Sequence, residues 1–337
     1  MNEDYLRLLH KEEDLALYEI VDREETTEDD GKRIVRLLAS TPGTRQVCND
    51  PLIAGTRYTD RLKKACTSIF EAYDFGLVET EVVVLNILRG ALNFGLRDAL
   101  AAAYGWWRHN SSFISAQRAR DKGNRESWHI TEKGYKKIYF PASTSLVIGD
   151  VVATGTSLHF AMGEIIKAAM EQKCMLKNIV FFTYGGRKAE EIFEEIDSDC
   201  RELFRDYRKT YVVYIEGRFT VPDLTTPLSI RLTGTDLVRW GSLMAPEFVE
   251  SQYEAPSYPL ERCIIYDAGS RAFWLQEYVL DVVHYWRQTL ELAQSKFTFE
   301  TLLKERFPEL DASRFGDVDL RTLAKEQIEK MEQAFKH

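Results

Sequence analysis

The spacing of apolar positions changes twice along the chain. Up to about Gly76, Leu6, Leu9, Leu15 and Ile20 recur amid charged residues, while Leu62, Ala65, Ile69 and Ala72 fall at i, i+3, i+7 and i+10. That is the period of a helix, so a helical N-terminal extension is expected over residues 1–76, its second helix starting near Thr59 and Asp60. The acidic run 24–30, followed by Gly31, and the Ser40-Thr41-Pro42-Gly43 turn residues interrupt it. From Glu81 to about Leu237 short apolar runs rich in β-branched residues (82–85, 112–114, 145–148, 178–182 and 211–215) alternate with helical stretches (92–104, 156–173 and 187–196). Alternation with nearly continuous apolar strands predicts an α/β core over residues 77–240, a mainly parallel twisted sheet with helices on both faces. Beyond it, residues 241–337 read as a mostly helical C-terminal extension. One short strand is expected at 263–266, and an aromatic stripe of Trp274, Tyr278 and Tyr285, with Trp286 beside it, suits a core or a subunit contact.

Composition narrows the partners. Lys and Arg number 44 against 53 Asp and Glu, a net charge of −9 that repels nucleic-acid backbones. The acidic start Met1-Asn2-Glu3-Asp4 has no basic flank, and no apolar run reaches the ~18 residues needed to span a bilayer. A cytoplasmic chain binding neither nucleic acid nor membrane is expected. Five scattered cysteines without a Cys-x-x-Cys pair are expected to be reduced thiols, mostly buried.

The chemistry concentrates in residues 145–158, Ser-Leu-Val-Ile-Gly-Asp-Val-Val-Ala-Thr-Gly-Thr-Ser-Leu. They read as a buried strand, an acid at its carboxyl end, a turn of small residues and a helix start. Such a turn aims backbone N–H groups and hydroxyls at one anion, and the helix dipole adds about half a positive charge there. Asp150 stands just ahead of the turn, placed to accept from hydroxyls or to sit beside a cation carried by the same ligand. A phosphorylated sugar fits both parts.

This segment resembles the 5-phosphoribosyl-1-pyrophosphate (PRPP) signature of the type I phosphoribosyltransferases, an apolar strand, two acids, two apolar residues, one variable position and Thr-Gly-Gly/Thr-Thr/Ser. The resemblance implies that Asp150 contacts the ribose hydroxyls and that Ala153, Thr154, Gly155, Thr156 and Ser157 hold the 5′-phosphate. Gly149 stands where the family has its first acid. The earlier run Leu88-Arg89-Gly90 occupies the place of the family's pyrophosphate loop and looks most like uracil phosphoribosyltransferase, as does Ala153, where hypoxanthine and guanine enzymes tend to carry Asp. Arg89 would pair with pyrophosphate as a catalytic residue beside Asp150. The locally basic stretch 117–127 lies where the family closes a lid, which makes Arg118, Arg120 and Lys122 further pyrophosphate ligands. The segment 214–224 corresponds to the hood that reads the acceptor, with Phe219 to stack and amides near Val221, Asp223 and Leu224 to hydrogen-bond; the loop 183–187 borders it.

The activity so implied is Mg²⁺-dependent transfer of phosphoribose from PRPP to a nucleobase-like or other small nucleophile, with Mg²⁺ held mainly by PRPP and the chain a homodimer. A PRPP-binding regulator that keeps the fold without turnover is the alternative, favoured by Gly149 and the long extensions. The resemblance covers under half the chain.

Overall fold

The computed structural model describes residues 4–22, 34–88, 94–115, 117–121, 124–132, 135–223, 225–230, 237–262, 268–295 and 297–336. The first three elements are strands, β1 (Asp4–Lys11), β2 (Ala16–Asp22) and β3 (Ile34–Ser40). Helices α1 (Pro42–Asn49) and α2 (Thr56–Ala72) follow. Then come β4 (Val82–Leu88), α3 (Leu96–Tyr104), β5 (Asn110–Ser115), β6 (Gln117–Asp121), β7 (Asn124–Glu132), β8 (Lys136–Lys137) and β9 (Ser143–Val152). The core closes with α4 (Thr156–Glu171), β10 (Met175–Gly185), α5 (Lys188–Leu203), β11 (Lys209–Thr220) and β12 (Val238–Met244).

The main sheet runs β1-β2-β3-β11-β10-β9-β4-β5-β8, with β12 added beside β11. From β3 to β5 every neighbouring pair is parallel, so six strands present their carboxyl ends at one edge. Antiparallel strands β1, β2 and β8 finish its two sides. Consecutive residues of β10 show both faces covered: the Phe181 ring meets Phe193 of α5 at 4.7 Å, and Phe182 meets Phe70 of α2 at 5.2 Å. The expected α/β class, parallel centre and two helical layers are therefore observed.

The first forty residues differ from expectation. Helices α1 and α2 are present, but Leu6, Leu9 and Ile20 lie on strands, Leu15 stands just before one, and β3 joins the centre of the sheet across the expected 76/77 boundary. The run Leu15 to Val21 is buried throughout, which suits a strand covered on both faces better than one stripe of a helix.

The C-terminal region is helical as expected: α6 (Pro246–Ser251), α7 (Ala268–Phe273), α8 (Leu275–Gln294), α9 (Phe299–Arg306) and α10 (Leu320–Ala334). The strand expected at 263–266 lies outside the described residues. Tyr278, Tyr285 and Trp286 fill a second core with Leu302, Leu303, Phe307 and Met331. Buried cations tie this core to the first: Arg271 donates to the carbonyls of Ile53 (2.7 Å) and Asp50 (3.1 Å), and Arg239 to those of Glu261 (2.7 Å) and Cys48 (3.3 Å). Cys48, Cys66, Cys174 and Cys200 are buried free thiols. No helix among the described residues is long and apolar enough to cross a membrane.

Candidate active site

The strand, acid, turn and helix expected at 145–158 are all present. β9 ends at Val152, and Gly155 takes the left-handed conformation at φ +75° immediately before α4. Gly155 has no side chain with which to cap the helix, so no N-cap side chain takes up the first N–H groups of α4. The hydroxyls of Thr154 and Thr156 approach to 3.3 Å beside them. The turn is made from local sequence, since only glycine takes such a φ without cost in so short a turn, and its groups are of the kind that can cradle an anion. Asp150 is half-buried at the strand end, one carboxylate oxygen accepting from the Val151 N–H at 2.8 Å.

The missing first acid has a steric explanation. A Cβ on Gly149 would lie 2.7 Å from Cγ of Phe94 and 3.0 Å from its Cβ, and Phe94 is completely buried. The ring lies across the position where an acid would stand. Gly149→Asp is expected to cost about 3 kcal/mol or more through overpacking and a buried carboxylate, measured by urea unfolding. An unchanged midpoint would show that Phe94 gives way.

Next to the cradle a cavity of about 450 Å³ opens, lined by Ala153, Thr154, Arg187, Lys188, Arg218, Phe219, Thr220, Val221 and Gly241. Two parts named separately in the sequence, the phosphate turn and the hood segment, thus share one space. The Gly185-Gly186 turn allows this, because a Cβ on Gly186 would lie 2.9 Å from both the Phe219 carbonyl and Val221 Cγ2. Small residues let the ends of β10 and β11 close up behind the cavity.

The hood itself is built differently from expectation. Phe219 lines the cavity yet is 3% exposed, its ring packed edge-on against Phe248 at 6.0 Å. The Asp223 N–H donates to Thr226 Oγ1 at 3.0 Å and its carboxylate closes a turn onto Thr225 and Thr226, which holds its pKa down. Asp223 therefore shapes the loop instead of reading a ligand. Val221 does line the cavity, and Leu224 lies outside the described residues.

The pyrophosphate side is described in part. Leu88 ends β4 as expected, but Arg89, Gly90 and Lys122 lie outside the described residues. Arg118 and Arg120 fall on β6, which pairs with β7 in an antiparallel hairpin approaching α4, and their side chains are outside the description. The basic stretch forms a hairpin arm beside the helix that begins at the cradle.

Sequence reasoning named Arg187 only as a neighbour and passed over Lys188, Arg218, Thr220 and Gly241. Arg218 donates to both carboxylate oxygens of buried Glu190 at 2.9 and 3.1 Å, and Arg36 lies 3.8 Å from the same carboxylate. The pair of cations just after Gly185-Gly186 was the signal available. Glu216 was also passed over: it is fully buried, at φ +63°, where the β10–β11 register slips between Thr183↔Tyr214 and Gly185↔Arg218. Its carboxylate accepts from the Thr41 N–H at 3.1 Å and from the Thr44 hydroxyl, joining the start of α1 to the strand that ends in the cavity wall.

The sequence matches no protein-family model and no curated protein. Among solved structures, similar chains include a hypoxanthine-guanine phosphoribosyltransferase from Bacillus anthracis (17% identity, TM-score 0.25, covering 47% of this chain and 78% of that one). Others are hypoxanthine phosphoribosyltransferases from Staphylococcus aureus (12%, 0.26, 50% and 78%) and from Trypanosoma cruzi complexed with the product IMP (15%, 0.25, 60% and 92%). Similarity of that size carries no inference about the chemistry of this chain, which its own residues must supply.

Proposed function

We propose that the chain transfers a 5-phosphoribosyl group from PRPP to a small nucleophile, releasing pyrophosphate. The observation that carries this reading is the cradle at the start of α4, with Asp150 ahead of it and a 450 Å³ cavity beside it. The 5′-phosphate would take the N–H groups and hydroxyls of residues 154–157, and Asp150 would accept from the ribose hydroxyls. In the reaction the C1–O bond breaks with its electron pair leaving on pyrophosphate and a nucleophilic atom of the acceptor bonds to C1; an N–H acceptor then releases its proton to solvent, whereas a pyridine nitrogen has none to lose and becomes a pyridinium. Holding the two reactants in register and covering charge supply most of the rate, so no covalent nucleophile is called for.

Among the described residues no three His, Cys, Asp or Glu side chains converge on a metal position. Asp150, half-buried just ahead of the turn, is the carboxylate of this chain that would meet an Mg²⁺ carried in by the substrate's oxygens. Bound there, Mg²⁺ would supply positive charge for the departing pyrophosphate.

The second reading, a PRPP-binding protein without turnover, is favoured by one observation: Phe94 occupies the place of the first acid. Calorimetric titration with PRPP, with and without Mg²⁺, followed by a pyrophosphate-release assay against a panel of acceptors, separates the two. Binding with acceptor-dependent release supports the transferase, binding alone supports the regulator, and no binding removes both. Asp150→Asn is expected to lower kcat/KM by about a hundredfold or more with the fold intact, since one charge is lost at a strand end. Unchanged kinetics would remove Asp150 from the site.

A further inference from the structure

The cavity beside the cradle has a one-sided chemistry. Three of its nine lining residues, Arg187, Lys188 and Arg218, are cationic and none is acidic, in a chain whose net charge is −9. Guanidinium and ammonium groups donate and cannot accept, so this wall is complementary to a group that only accepts. The remaining lining is small, hydroxyl-bearing or apolar.

The strand order separates these cations from those expected to serve pyrophosphate. Strand β4, after which the expected pyrophosphate run begins, lies on one side of β9 in the sheet, whereas the cavity lies at the ends of β9, β10 and β11 on the other. The phosphate of the donor has its own seat in the turn 154–157. Ala153 and Thr154 stand on the edge that the turn and the cavity share, so with the donor phosphate in the turn the β10–β11 flank is the space left for an acceptor. Arg218 is fixed in place by Glu190 and forms a standing part of the wall. Lys188 is engaged with Glu191 at 2.7 Å, both side chains about half exposed, a solvent-screened contact open to exchange for a ligand carboxylate.

We propose that the acceptor of this site is a flat ring bearing a carboxylate, which Arg187 and Lys188 hold against the wall formed by Arg218, Thr220 and Val221. The assignment rests on the phosphoribosyl-transfer reading for its role as acceptor, though the anion site itself does not. The bond changes are those given above, and the carboxylate takes no part in them. An Arg fork matches a carboxylate, and a charged substituent entering a partly enclosed cavity needs such partners to offset its lost hydration.

The test uses the intact chain and two ring pairs that differ by a charge, orotate against uracil and nicotinate against nicotinamide, titrated calorimetrically with and without saturating PRPP. The carboxylated member of at least one pair is expected to bind about tenfold more tightly or better. Arg187→Gln and Lys188→Gln, both at exposed positions, are expected to remove that preference while changing PRPP affinity by less than about twofold. The proposal is overturned if the neutral rings bind as well, if no ring binds, if the preference survives both substitutions, or if the substitutions weaken PRPP instead. Should PRPP fail to bind while the charged ring keeps its preference, the transferase reading falls and the anion site stands.

Discussion

Gly155→Val is expected to abolish PRPP binding and to destabilise the chain by about 3 kcal/mol or more. Two costs meet at this position. The φ of +75° is the left-handed region, where a β-branched side chain crowds its own backbone. The added Cβ would also lie 2.4 Å from Ile192 Cδ1 and 3.2 Å from Lys188 Cγ, and Ile192 is buried. Since α4 and α5 converge there, any relief moves the first turn of α4 and redirects the N–H groups that form the cradle. Urea unfolding reads the stability, and calorimetry with PRPP reads the cradle. A variant that keeps both would show that the phosphate binds elsewhere.

Glu216→Gln is expected to leave stability unchanged near pH 5 and to raise it by about 3 kcal/mol near pH 8. Burial pushes the Glu216 carboxyl up to about 7, against hydrogen bonds from Thr44, Ser40 and Thr41 and the charge of Arg45 that pull it down. Oε2 has no hydrogen-bond partner. Cys48 and Tyr184 lie within electrostatic reach of it, and burial holds both the Cys48 thiol and the Tyr184 hydroxyl above their ordinary pKa. A carboxyl with a raised folded-state pKa contributes fully below its unfolded value of 4.5, and that contribution is lost as pH rises through about 7. Glutamine imitates the protonated form and escapes the loss. Comparing the two chains at both pH values cancels every other titrating group; parallel curves would show that Glu216 is ionised in the folded protein throughout.

The chain's local features were the ones its sequence displayed. The turn after β9 is complete within a few residues, so the strand, the acid, Gly155 and the helix start were legible in local sequence, and β9, α4 and β10 followed from the alternation of apolar runs. Gly149 could be noted but not explained, because Phe94 reaches it from another part of the chain. The packing of the Phe219 ring was hidden for a related reason: its partner Phe248 belongs to α6, and nothing local shows that contact. The N-terminal strands were hidden by composition. Leucines and charges give β1 a helix-like rhythm, and β3 becomes a central strand only through pairing with β11. Glu216 gave no signal at all, since its environment is assembled from α1, β10 and the C-terminal region.

The pairing of β3 with β11 also sets a timetable for synthesis. Ile34 meets Thr210, so the inner side of β3 has no sheet partner until the ribosome has added most of the core. At about 5–20 residues per second that interval is roughly 10–40 s. Throughout it, the nascent chain carries an apolar strand with Ile34, Leu37, Leu38 and Ala39 and an open backbone edge, the kind of template on which chains from neighbouring ribosomes pair. Just ahead of it in sequence stand Glu24, Glu25, Glu28, Asp29 and Asp30, a block of negative charge that makes the same segment on two chains repel. The acidic run thereby guards the strand for the time the ribosome needs to deliver its partner.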